Sequence, residues 1–280
     1  MHRSWSGLSR RLLLFRPPSS LFVTPPFLRA CPSAPPATTT ASTHRHQSTS
    51  SSAPPKILGF IGLGQMGARM ASNLLAKTDL PVLVYDTNPT VMATLQSKGA
   101  RLASSVEEIA RSAQVIMTML PATQHVEAVA GQLLIPHAQA GTLLIDGSTI
   151  DPTASKALAG QALARGLEMV DAPVSGGVGG AGAGTLTFMV GGEAKSVEKA
   201  EAFMLKHMGK KVVHCGGAGT GAVAKICNNL VLGVNMIGVA EAMRLGVALG
   251  MDPLILNGVR SLPPYLPLPP SSPPVPLFFT

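Results

Sequence analysis

Residues 62–67 read Gly62-Leu63-Gly64-Gln65-Met66-Gly67, a G-x-G-x-x-G. The apolar run Lys56-Ile57-Leu58-Gly59-Phe60-Ile61 precedes it, and Met66, Met70, Leu74 and Leu75 follow at helical spacing as far as Lys77. A strand, a glycine turn and a helix in that order open a βαβ unit, which gives a weak pattern its meaning. Gly62 permits the tight turn, Gly64 leaves room for a diphosphate, and Gly67 lets the helix lie close to the strand. Unpaired N–H groups and the helix dipole then hold the anion. Leu63, Gln65 and Met66, between the glycines, complete the candidate cofactor-binding loop. Taken alone, the glycines also suit a tight turn in an α/β protein that binds nothing.

The next strand, Pro81-Val82-Leu83-Val84-Tyr85, ends at Asp86. A carboxylate at that point accepts both ribose hydroxyls and repels a 2′-phosphate, which favours NAD over NADP. No Arg follows in Thr87-Asn88-Pro89. By itself, Asp86 reads equally as a solvated acid at a strand end. A helix from Pro89 to Lys98 follows, and strands are predicted around Arg101-Leu102 and over 115–119, 142–145, 168–170, 186–190 and 211–214. Strands alternating with helices predict an α/β protein with a Rossmann-type, doubly wound, mostly parallel sheet.

From Gly221 to Leu249 breakers are few, and one long helix is expected, weakened by Gly233, Gly238 and Gly246. Asn228, Asn229, Asn235, Glu241 and Arg244 interrupt it, so it does not read as a membrane span. A second helix starts after Asp252-Pro253 and gives way to proline. The expected organisation is a leader over 1–55, an NAD-binding domain over 56–217, the start of an all-helical domain over 218–257 and a disordered proline-rich tail over 258–280.

Charge and proline support those outer boundaries. The net charge is +8, from 22 basic and 14 acidic residues. Six arginines (Arg3, Arg10, Arg11, Arg16, Arg29, Arg45) precede residue 56, and setting them aside leaves 16 basic residues against the same 14 acidic ones. The body is near neutral, so the basic balance does not indicate nucleic-acid binding. An Arg- and Ser-rich opening without acids has the composition of a mitochondrial transit segment, and a matrix location is expected; a tail without an address is the plainer alternative. The three cysteines have neither metal-ligand spacing nor the makings of a disulfide framework.

Three further segments are unusual for scaffold: Asp146-Gly147-Ser148-Thr149; Asp171-Ala172-Pro173-Val174-Ser175-Gly176-Gly177; and the glycine-rich 216–221 followed by Lys225 and Asn229 on one helical face. Ser175, Gly176 and Gly177 offer a hydroxyl and backbone amides to a small carboxylate. Lys225 can act as acid or base if burial lowers its pKa, and Asn229 can position a hydroxyl or the ammonium. Singly, such a glycine stretch is more often a flexible loop and such a lysine a solvated face.

Together these segments resemble the β-hydroxyacid dehydrogenase family. The matching strings are 60–67, Thr118-Met119-Leu120-Pro121, 171–177 and Gly219-Thr220-Gly221 leading to Lys225-Ile226-Cys227-Asn228-Asn229, in the family's order. The resemblance implies that Gly62, Gly64 and Gly67 hold the diphosphate and Asp86 the adenosine ribose. It also implies that Leu120 and Pro121 line the cofactor cleft and that Thr149 lies near the nicotinamide ribose. Ser175, Gly176 and Gly177 would grip the substrate carboxylate, Asn229 would stand beside the hydroxyl, and Lys225 would take the alcohol proton. His125 stands where the family often has an Asn, and a loop residue without function is an equal reading of it. The implied cofactor is NAD, without a metal, and the implied partner is a small hydroxy acid, with no nucleic acid and no membrane. The implied reaction is oxidation of 3-hydroxyisobutyrate to methylmalonate semialdehyde, in valine catabolism.

Alternatives are a related reductase of tartronate semialdehyde (2-hydroxy-3-oxopropionate) or succinic semialdehyde, which favours NADP, and a non-catalytic nucleotide-binding relative, which tends to lose the lysine. The likeness stops near Leu256. The family's all-α C-terminal domain is therefore expected to be largely missing, the long helix to expose its apolar face, and NAD binding and turnover to be weak. A homo-oligomer is expected where that domain is complete.

Overall fold

Short apolar runs bounded by Gly, Asp and Ser form the strands in the computed structural model, which describes residues 56–259 of the chain. The expected leader over 1–55 and the tail from 260 onward lie outside the described residues. The strands are β1 (Leu58–Ile61), β2 (Val82–Tyr85), β3 (Arg101–Leu102), β4 (Val115–Thr118), β5 (Leu143–Asp146), β6 (Glu168–Asp171), β7 (Val174–Ser175), β8 (Leu186–Gly191) and β9 (Gly209–Gly216). β1 to β6 are all parallel, in the order 3-2-1-4-5-6. This is the doubly wound order, and the chain changes direction across the sheet between β1 and β4, where such sheets open a crevice. β1, β4 and β5 are buried along their whole length, as central parallel strands covered on both faces must be.

The helices are α1 (Gly67–Lys77), α2 (Pro89–Gln96), α3 (Val106–Ser112), α4 (residues 123–137, π-helical over Glu127–Leu134), α5 (Pro152–Ala164), α6 (Gly177–Ala183), α7 (residues 194–208), α8 (Thr220–Ala248) and α9 (Pro253–Val259). Their starts are written locally. Asn88 and Asp151 accept hydrogen bonds from the amides of Thr90 and Thr153, each with a proline in the first helical position. Ser105 caps the Glu108 amide, and the Glu108 carboxylate returns to the Ser104 amide. Strand alternation sends Phe60 and Ile61 to opposite faces. Phe60 joins Leu74, Val84, Met117 and Phe188 in one core, and Ile61 joins Ile109, Ile116, Leu144 and Leu158 in the other.

Beyond β6 the sheet departs from the purely parallel pattern. β8 runs antiparallel to β6 and β7, and β9 runs parallel to β8. The two-residue β7 was not predicted, because so short a strand carries no alternation. α8 follows the predicted long helix to within a residue at each end. Only Gly221 and Ala222 in it are fully buried, and Leu230, Val234, Met236 and Ile237 are 60–72% exposed, so the expected apolar exposure is present. By length and composition alone this helix could cross a membrane. α9 continues to Val259, two residues into the segment expected to be tail.

Candidate active site

The β1–α1 turn is built by exclusion. Gly62 has φ +90°, and a side chain there would strike the Met119 carbonyl oxygen. A methyl group on Gly67 would overlap the Gly62 carbonyl, so the helix can approach the strand only without one. Gly64 differs: nothing lies within 4 Å of where its Cβ would be. Helix α1 begins three residues on, with no side-chain cap and no acid in its first turn. The Ala68 and Arg69 amides are taken by the Gly64 and Met66 carbonyls, so the positive end of the helix dipole and the space left at Gly64 are what this turn offers a diphosphate.

Asp86 closes this turn from β2. Its Oδ2 accepts the Leu63 amide at 2.6 Å and its Oδ1 the Asn88 amide at 2.8 Å. The same carboxylate therefore braces the glycine loop and presents an acid at the mouth of the crevice. Leu63 itself is 1% exposed: its backbone amide is held by Asp86, and its side chain belongs to the core. Gly62, Gly64, Gln65, Met66, Gly67, Asp86, Leu120 and Pro121 line one cavity of about 580 Å³, and His125 stands in the same wall. The glycine cradle, the uncapped helix and the strand-end acid fit a dinucleotide.

The ends of β4 and β5 shape the opposite lip. Asp146 is buried at 1% exposure. Its Oδ1 accepts from Thr118 Oγ1 at 2.8 Å, from the Ser148 hydroxyl at 2.6 Å and from the Ser148 amide at 3.2 Å. Ser148 Oγ in turn accepts the Leu120 amide at 2.9 Å, so a chain of hydrogen bonds runs from β5 to the Leu120-Pro121 wall. Burial raises the Asp146 carboxyl above the ordinary carboxylate range, against the pull of Ser148 and Thr118. Thr149, the neighbour expected at the nicotinamide ribose, is exposed and does not line the cavity.

None of the expected substrate residues lines that cavity. Ser175 is half-buried on β7, and Gly176 and Gly177 turn with φ +132° and +60° into α6. Asn73 on α1 donates through Nδ2 to the carbonyls of Ala181 and Gly182, at 2.8 and 3.1 Å, which ties α6 to the helix that begins at the glycine loop. Lys225, half-buried in the second turn of α8, has its pKa lowered by burial. Asn229, one turn on, is exposed.

Sequence reasoning gave no role to Asp171, Ser148 or Asn73. Asp146 and Asp171 carried one usable signal, an acid directly after a buried apolar strand. Asn73 carried none, because its partners lie more than a hundred residues away.

Residues 57–217 match the family described as the NAD binding domain of 6-phosphogluconate dehydrogenase. A Dictyostelium discoideum protein, "Probable 3-hydroxyisobutyrate dehydrogenase, mitochondrial", is 51% identical over 206 residues, covering 73% of this chain and 64% of its own. The NAD-dependent L-serine dehydrogenase of Pseudomonas aeruginosa is 48% identical over 203 residues, covering 72% of this chain and 67% of its own. Among solved structures, the Mycobacterium tuberculosis 3-hydroxyisobutyrate dehydrogenase with L-serine superposes with a TM-score of 0.67 at 39% identity, covering 71% of this chain and 67% of that one. The chain spans between 61% and 64% of the length of the eukaryotic relatives it matches.

Proposed function

The chain belongs to the β-hydroxyacid dehydrogenase family, and from that premise we propose that it oxidises 3-hydroxyisobutyrate to methylmalonate semialdehyde with NAD. The observation that carries the chemistry is Lys225, half-buried near the start of α8 with its ammonium disfavoured by burial. A neutral amine is the form that can accept a proton. When bound, NAD supplies the acceptor for the hydride that leaves the carbinol carbon. Lys225 Nζ takes the hydroxyl proton as the carbonyl forms, and returns it in the reverse direction. Ser175, Gly176 and Gly177 hold the substrate carboxylate with a hydroxyl and backbone amides, and Asn229 orients the hydroxyl. Gly62, Gly64 and Gly67 carry the diphosphate, Asp86 the adenosine ribose, Leu120 and Pro121 the cleft wall, and Thr149 the nicotinamide ribose. Residues 56–217 form the NAD-binding domain in this reading, and 218–257 begin the helical one.

Oxidation requires the unprotonated amine, so its rate should climb with pH through a value below that of an ordinary lysine, while reduction should fall over the same interval. L-Serine is a second reading, favoured by the P. aeruginosa relative and by the ligand of the M. tuberculosis structure. It offers the same hydroxyl placed β to a carboxylate. The semialdehyde reductases that favour NADP are disfavoured by Asp86 and by the absence of a basic residue after β2. Initial rates with 3-hydroxyisobutyrate and L-serine, each with NAD and NADP, decide among them. The expected result is the highest kcat/KM for 3-hydroxyisobutyrate with NAD; a preference for NADP, or for L-serine, contradicts it. Mitochondrial relatives and the acid-free opening support a mitochondrial matrix location. Import of a reporter fused to residues 1–55 tests it, and retention of that reporter in the cytosol contradicts it.

A further inference from the structure

Asp171 ends β6 at 3% exposure. Its Oδ1 accepts the Gly219 amide at 2.7 Å and its Oδ2 the Ala222 amide at 2.8 Å. These amides open α8, where a helix offers no internal acceptor, and Gly219 has no side chain to supply one. The cap thus comes from a residue 48 and 51 positions earlier in the chain. Bonds to an ionised acceptor are stronger than neutral ones, and a negative charge is favoured at a helix N-terminus. The surroundings leave the carboxylate one place to be. A Cβ on Gly191 would lie 2.5 Å from Oδ1, and one on Gly221 would lie 2.8 Å from Oδ2. Four residues after Asp171 the same segment reaches Ser175, fixed on the way by the Met189 amide donating to the Pro173 carbonyl. Three residues after Ala222, α8 presents Lys225.

We propose that Asp171 is a positioning residue: by holding the Gly219 and Ala222 amides, its carboxylate fixes Lys225 relative to the turn at Ser175, Gly176 and Gly177. The proposal rests on the reading of Lys225 as the proton acceptor. Freed of this anchor, the first turns of α8 move away from β6 and β8, and the ammonium regains water.

Asp171→Asn keeps one acceptor and sets an amide NH2 against the other backbone N–H; Asp171→Ala keeps neither. The chain and both variants are compared by thermal melting, NAD titration, and kcat and KM for 3-hydroxyisobutyrate across pH. A displacement of about 1 Å can cost about 10²-fold in rate. The expected order of kcat is Asp, then Asn, then Ala, with a loss of about that size for Ala. The alkaline rise should shift toward the ordinary lysine range, and NAD affinity should stay within about twofold, since neither Asp171 nor its partners Gly219 and Ala222 line the cavity that holds the glycine loop and Asp86. A folded Asp171→Asn with the parent's kcat and pH profile overturns the proposal. Lys225→Ala run alongside separates the two ideas. Turnover lost there but intact in Asp171→Asn sinks only the positioning role, whereas turnover kept in Lys225→Ala sinks the reading beneath it. Hydrogen exchange in the unmodified chain gives a test free of variants. The Gly219 and Ala222 amides should be protected as strongly as those of β5, and fast exchange at both overturns the anchor.

Discussion

Asp146 and Asp171 are paired in register at the ends of neighbouring parallel strands, and the fold uses each to hold something other than itself. Asp171 has both oxygens bonded. Asp146 Oδ2 is buried without a hydrogen-bond partner among the described residues, and burial holds its carboxyl above the ordinary range, with the neighbouring Asp171 adding to the rise. A group whose folded pKa exceeds its unfolded one supports folding below the unfolded value and loses that support as pH rises through the folded one. Asp146→Asn keeps an acceptor for Thr118 and Ser148 and removes the charge. The melting temperature of this variant, relative to the parent, should therefore rise as the pH climbs from the ordinary carboxylate range through the raised folded value. A difference that stays constant over that interval contradicts the assignment. The roles of these two acids were illegible in the sequence because their partners come from other strands and helices. The glycine loop was legible because its partners lie within a few residues of one another.

Most strands and the helices from Gly67, Pro89 and Thr220 were read from local patterns, whereas β7 and the helices capped by Ser105 and Asp151 were not read. Runs such as Val82–Tyr85 and Leu143–Asp146 announce buried strands, and asparagine, serine or aspartate before a helical pattern announces its start. β7 exists because β8 pairs with it, and the π-helical stretch of α4 left no mark on apolar spacing. The β1–α1 turn offers a test in which one element separates stability from binding. Gly64→Ala meets nothing within 4 Å, so it should change stability by less than about 0.5 kcal/mol and still weaken NAD binding by at least about tenfold, because the methyl group occupies the approach of the diphosphate. Gly67→Ala meets the Gly62 carbonyl and should cost about 1–3 kcal/mol of stability as well. Denaturant unfolding with NAD titration on the same samples checks both. Equal stability losses in the two variants contradict the division of labour between these glycines.

Across the molecule, one sheet carries two groups of residues. The crevice between β1 and β4 gathers the glycine loop, Asp86, Leu120 and Pro121. The far side of β6 and β8 holds the start of α8. Asn73 and Asp171 connect these regions through α6 and α8. From Leu230 onward α8 leaves large apolar side chains exposed. The order of strands and the cofactor crevice were legible because periodicity and the glycine spacing are local. The joining of the lysine helix to the sheet was not, because it depends on hydrogen bonds between segments about fifty residues apart. The most direct measurement is NADH formation from 3-hydroxyisobutyrate by this chain and by its Lys225→Ala variant, with NAD affinity determined on the same preparations. Turnover should fall by at least about 10²-fold while NAD affinity stays within about twofold; a variant that forms NADH at the parent's rate would contradict the assignment of Lys225.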